Sequence, residues 1–170
     1  MIERRAMGGV QAEGRTLRGL AIPYDVETRI NGGTESIRAG AVTASLAGRD
    51  ILALVDHDAG KVLGRTRSGT LRLVEEARGV SFEIDLPDTT AARDVLALVE
   101  RGDAGGMSFG FTTPKGGDEW RGTHRELRAI HLHEISVITS HPAYTSTTVE
   151  ARIAAAASLD MLRLRLETYR

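Results

Sequence analysis

The chain has 170 residues, enough for one domain with a substantial core, and a formal net charge of -1 with both signs scattered along its length. That balance excludes the broad basic field that draws a protein to nucleic acid or to an anionic membrane, so protein partners are expected. The absence of cysteine excludes disulfides, thiolate nucleophiles and cysteine-ligated zinc, and no apolar run approaches the ~20 residues of a membrane span. The first ten residues lack the apolar core of a signal peptide, so the chain is expected to remain inside the cell that makes it.

In chain order, residues 16–22 alternate loosely and end at Pro23-Tyr24, which predicts a first strand closed by a turn. Residues 25–40 hold Asn31-Gly32-Gly33 and few large apolar side chains, so a mobile loop is expected there. A short helical turn fits residues 41–46. Residues 51–55, Ile-Leu-Ala-Leu-Val, form a continuous apolar run too short for a typical helix and predict a strand buried on both faces.

That run stops at Asp56-His57-Asp58. A histidine at the end of a buried strand can hold one orientation and still exchange protons, which makes His57 a candidate base; a solvated turn histidine is the plain alternative. Residues 61–65, 70–74 and 80–86 then read as an antiparallel meander. Pro87-Asp88 opens a helix with Asp88 as the expected N-cap, an apolar stripe of Ala91, Ala92, Val95, Leu96 and Val99, and a stop at Gly102.

The helix delivers the chain into Gly105-Gly106-Met107-Ser108-Phe109-Gly110-Phe111. As a strand, this stretch puts its large side chains on one face and leaves a bare face carrying a single hydroxyl, that of Ser108. Flanking glycines would let another backbone approach that serine. Residues 112–123 read as a hairpin or flexible loop with Trp120 as the one large anchor.

Residues 125–138 alternate strongly, with Ile130, Leu132, Glu134, Ser136 and Ile138 on one face and His131, His133, Ile135 and Val137 on the other. Glu134 is therefore expected among aliphatic neighbours, where a carboxylate is costly without a partner, and an imidazole is a good candidate partner. If that face is instead solvated, Glu134 simply points to water. Residues 149–169, rich in alanine, leucine and arginine, predict a terminal helix with a narrow apolar stripe, suited to packing on its own domain, to dimerisation or to docking on a partner. The expected division is a domain of residues 1–148 followed by a C-terminal helix of residues 149–170.

His57, Ser108 and Glu134 supply one imidazole, one alcohol and one carboxylate. A serine hydroxyl is a poor nucleophile at neutral pH and needs a base within reach, oriented in turn by a third group. Their separation along the chain is no objection, because triads occur in several chain orders. Two other readings stand beside this one. His124, His131 and His133 could hold zinc in a metal-dependent hydrolase, although no HExxH pattern exists, or the chain could be a non-catalytic assembly protein.

Several segments, in order, resemble the tailed-phage prohead (capsid maturation) proteases: Asp56-His57-Asp58, Val62-Leu63-Gly64-Arg65, Ser68-Gly69-Thr70-Leu71, Leu86-Pro87-Asp88-Thr89, Arg101-Gly102-Asp103, Gly106-Met107-Ser108-Phe109-Gly110-Phe111 and His133-Glu134-Ile135-Ser136-Val137 followed by Pro142-Ala143-Tyr144. The resemblance runs from about residue 19 to residue 149. It implies an α+β fold like the herpesvirus assemblin proteases, a mostly antiparallel β-barrel surrounded by helices, and a serine endopeptidase needing no cofactor. Ser108 would be the nucleophile, His57 the general base and Glu134 the third member. The substrate implied is the major capsid protein or its scaffolding segment, cleaved inside assembling proheads in the host cytoplasm, with self-cleavage and a homodimer through the C-terminal helix as further expectations. In assemblin relatives the third member is a histidine and an arginine pair follows its strand; here Thr139-Ser140-His141-Pro142 stands in that place, and a backbone N–H of this loop is the expected oxyanion donor.

Overall fold

The computed structural model describes residues 1–139. The expected terminal helix, and with it the domain boundary at residue 148, lies outside them. Two sheets, holding about half of the described residues, organise the fold. The larger has eight strands: β1 (Glu3–Glu13), β2 (Thr16–Pro23), β5 (Leu52–Val55), β6 (Asp58–Arg65), β7 (Leu71–Glu76), β8 (Gly79–Asp85), β9 (Gly106–Thr112) and β12 (His131–Ile138), in the order β6-β5-β12-β9-β1-β2-β8-β7. All its ladders are antiparallel except that between β5 and β12.

This sheet curls into a half-barrel. Its two edge strands, β6 and β7, are consecutive in sequence and are tied by a 3₁₀ turn (Thr66–Ser68), where the Arg65 N–H donates to Thr70 Oγ1 at 3.0 Å. The core includes Leu17, Leu63, Ile84, Phe109 and Phe111, all essentially inaccessible. The rings of Phe109 and Phe111 stack with centroids 5.5 Å apart.

Helices are few rather than enveloping: α1 (Thr43–Gly48) and α2 (Thr90–Arg101). Helix α2 buries Ala92, Val95 and Val99 against the sheet as the stripe predicts. Its N-cap is Thr89, whose side chain accepts the Ala92 N–H, and not the expected Asp88, which pairs with Arg93 instead. Gly102 ends it in the left-handed conformation, φ 79°, and caps the carbonyls of Leu98 and Val99. No helix among the described residues is long and apolar enough to cross a membrane.

The expected loop at residues 25–40 is instead the hairpin β3 (Thr28–Ile30) and β4 (Gly33–Ile37), joined in a second sheet of order β10-β11-β4-β3 with β10 (Asp118–Arg121) and β11 (His124–Leu127). The physical reason is long-range. Glu35 on β4 is only 3 % exposed, and its carboxylate is met by Arg5 Nε at 2.7 Å and Arg125 Nη1 at 3.1 Å. Arg125 also reaches Glu3 (2.5 Å) and Asp118 (2.8 Å), so charges from β1, β4, β10 and β11 bind the two sheets together. Trp120, expected as an anchor, is 52 % exposed, with the Arg125 guanidinium 5.9 Å from its ring centroid.

Removing one member of a buried ion cluster leaves another uncompensated, typically at a cost of about 3–5 kcal/mol. Because Arg5 still holds Glu35, Arg125→Met is expected to lower the urea-unfolding free energy by about 3 kcal/mol, the bottom of that range. Acid should act at the same place. Burial raises the Glu3 carboxyl, but its hydrogen bond to Arg125 and the charges of Arg125 and Arg5 outweigh this and hold it below its ordinary value. Its contribution is therefore present above the unfolded carboxyl range and lost as pH falls through the depressed folded value. Chemical denaturation at a series of pH values below 5 should show stability declining as pH falls, and the decline should shrink in Glu3→Gln.

Candidate active site

The site begins with a fault in the alternation of β12. Register pairs Leu132 with Phe111 and Glu134 with Gly110, a β-bulge between them. In an unbroken strand Leu132 and Glu134 would share a face, as the sequence pattern predicts. The bulge instead turns Leu132 into the core beside Phe111, while Glu134 and Ser136 come out on the opposite face, across from Gly110 and Ser108. The expectation that Glu134 lies among Ile130 and Leu132 is thus corrected. The bulge residue, His133, bonds Thr112 Oγ1 at 3.0 Å through Nε2.

Glu134 is 8 % exposed, and both its carboxylate oxygens are engaged. Oε1 lies 2.6 Å from His57 Nδ1, and Oε2 accepts the Ser136 hydroxyl at 2.7 Å. Room for this carboxylate comes from Gly110: a Cβ at that position would sit 2.3 Å from Glu134 Oε1. The imidazole partner that burial of Glu134 called for is therefore His57.

His57 reaches Glu134 from a two-residue turn between β5 and β6, in which Asp56 and His57 both have positive φ, 48° and 60°. This is the type I′ pattern, usually filled by Asn-Gly, and a non-glycine residue held left-handed costs roughly 1–2 kcal/mol. Contacts with β12 and its end hold the turn. The His57 N–H donates to Ser136 Oγ (3.2 Å), the Asp56 N–H to the Val137 carbonyl (3.0 Å), and the Asp56 carboxylate accepts the Thr139 N–H (2.8 Å) and the Thr139 hydroxyl. With Nδ1–H donating to Glu134, the neutral ring keeps its lone pair on Nε2, free to act as a base.

Ser108 lies on β9 directly opposite Ser136, and Cα atoms so paired are about 4.5–5.5 Å apart. It shares its face with Gly106 and Gly110, while Met107, Phe109 and Phe111 fill the core, as the alternation predicts. The expectation of a bare, open hydroxyl is corrected, however: Ser108 is 2 % exposed, and its Oγ donates to the Arg5 carbonyl of β1 at 2.7 Å. No hydrogen bond joins it to His57 in this arrangement.

The face continues away from Ser108 along one register row, Gly106, Gly9, Leu20, Ser81 and Val74. There it forms an open groove of about 700 Å³ whose lining includes Gly9, Gly105, Leu20 and Val74, with Arg18 and Arg72 beside them. Of the histidines of the metal reading, His131 and His133 lie on β12 and His124 on the second sheet. His124 bonds Thr34 and Ser36 in the second sheet, and the described residues contain no cluster of three histidine, aspartate or glutamate side chains able to hold an ion. Burial and the charges of Arg49 and His131 hold His133 below the ordinary histidine range.

Sequence reasoning placed Ser136 on the face of Glu134 without a role, read Gly110 only as a glycine flanking Ser108 and Thr139 only as the start of the expected oxyanion segment, and gave Asp56 no role of its own. The signal for the first two was the matched spacing of Ser108/Gly110 and Glu134/Ser136, each a pair two residues apart on a strand.

In architecture, the chain is similar to the bacteriophage T4 capsid assembly protease gp21, with a TM-score of 0.52 at 8 % identity over 81 % of this chain and 98 % of that one. This likeness is one of fold. No curated protein matches the sequence. The sequence does match the caudovirus prohead serine protease family over residues 2–161, nearly its whole length, and the chain belongs to that family.

Proposed function

We propose that this chain is a serine endopeptidase that cleaves capsid protein or its scaffolding segment inside assembling proheads. The observation that carries the reading is the convergence on one sheet face of Ser108, His57 and Glu134, the last two joined at 2.6 Å. In this mechanism the Ser108 hydroxyl turns from the Arg5 carbonyl toward His57, and Nε2 takes its proton as Oγ attacks the scissile carbonyl. Glu134 stabilises the imidazolium that results. The proton then passes to the leaving amine, and water, activated by the same imidazole, releases the acyl group from Ser108.

A backbone N–H within Thr139-Ser140-His141-Pro142 is the proposed oxyanion donor, and the tie from Thr139 to Asp56 holds the start of that segment beside the His57 turn. The groove along Gly9, Leu20 and Val74 suits one side of an extended substrate chain. Self-cleavage and dimerisation through the predicted terminal helix belong to the same proposal. One observation favours a second reading, a non-cleaving assembly protein of this fold: the Ser108 hydroxyl rests on β1 and not on His57. Co-expression with a capsid protein separates the two. Cleavage by the wild type that is lost in Ser108→Ala supports the peptidase; cleavage unchanged by that substitution overturns it.

A further inference from the structure

We propose that Ser136 is a positioning residue for the His57–Glu134 pair; this rests on the peptidase reading above but reaches a side chain that reading does not use. Ser136 is 0 % exposed, so its hydroxyl exchanges no bonds with solvent. Its two contacts fix the direction of both. The His57 N–H can only donate, so Ser136 Oγ accepts there, at 3.2 Å, and its single proton goes to Glu134 Oε2, at 2.7 Å.

One hydroxyl thereby holds two things at once. On one side it pins the carboxylate plane of a three-torsion side chain so that Oε1 faces His57 Nδ1. On the other it pins the backbone of a turn that carries two consecutive non-glycine residues at positive φ. Nothing else among the described residues' hydrogen bonds touches both groups, and the remaining ties of the turn, through Asp56, do not reach Glu134. Without Ser136 the fold keeps its strands, because the substitution removes one buried oxygen from a β12 residue whose ladder partners are unchanged. What it loses is the alignment.

The test is Ser136→Ala in the full chain, read in two ways. Proton NMR with ¹⁵N-labelled histidine follows the His57 Nδ1–H, which a short bond to a carboxylate moves far downfield; in Ser136→Ala this resonance should broaden or vanish through exchange with water. Turnover of a capsid-derived substrate should fall about tenfold in kcat with KM unchanged, the size expected for one buried hydrogen-bond partner lost. A downfield resonance and a kcat both as in the wild type would overturn the assignment, as would a serine-directed phosphonate found on Ser136 itself. Failure of the peptidase reading is a different result. A wild type that cleaves nothing removes the kinetic comparison, and the resonance still decides, its survival in Ser136→Ala counting against the role of Ser136 and its loss in favour.

Discussion

Ser108→Ala is expected to reduce turnover of a capsid substrate by about 10⁶-fold, below detection in a co-expression assay, because nucleophile and base act as one unit and losing either costs nearly the whole covalent route. The substitution should not disturb the fold. Ser108 is buried and its one side-chain bond is to the Arg5 carbonyl, so alanine removes a single hydrogen bond, worth roughly 1 kcal/mol. β1 keeps its ladder with β9 on either side of that position, from Glu3↔Phe111 to Gly9↔Gly106. Matched thermal unfolding of the two proteins therefore separates loss of chemistry from loss of structure. A variant that still cleaves would remove this serine from the mechanism.

Gly110→Ala should also cost most of the activity although it removes no polar group of the triad. The new Cβ would stand 2.3 Å from Glu134 Oε1, 3.0 Å from Cδ and 3.2 Å from Cγ, so the end of a flexible side chain must move while the backbone need not. Moving it breaks the 2.6 Å bond to His57 Nδ1 and leaves the imidazole without the group that fixes its tautomer. Loss of the third member of such a triad typically costs about 10⁴-fold in kcat. Gly110→Ala is accordingly expected to lower kcat by about 10³- to 10⁴-fold with KM little changed, measured on a capsid-derived peptide. Wild-type kcat would mean that Glu134 can serve from another position, or does not serve at all.

Both expectations turn on features that differ in how far the sequence shows them. The faces of β9 are legible because Met107, Phe109 and Phe111 alternate with Gly106, Ser108 and Gly110 without interruption, and period-two patterning is a local property. The face of Glu134 is not, because the bulge at His133 inserts one residue against β9 and reverses the orientation of everything before it. Local pattern likewise cannot show β4: Glu35 reads as a loop residue until Arg5 and Arg125, one from each side of the chain, are brought to its carboxylate. His57 was visible as a histidine at the end of a buried strand. That it sits in a left-handed turn held by contacts with β12 depends on the parallel pairing of β5 with β12, a long-range arrangement with no local signature.

The most direct measurement is reaction of the full chain with a serine-directed phosphonate, followed by peptide mapping of the modified residue. The triad predicts a single adduct on Ser108, formed by the wild type and absent from His57→Ala. An adduct on any other residue, or equal labelling of Ser108 with and without the His57 imidazole, would contradict the assignment of nucleophile and base on this sheet face.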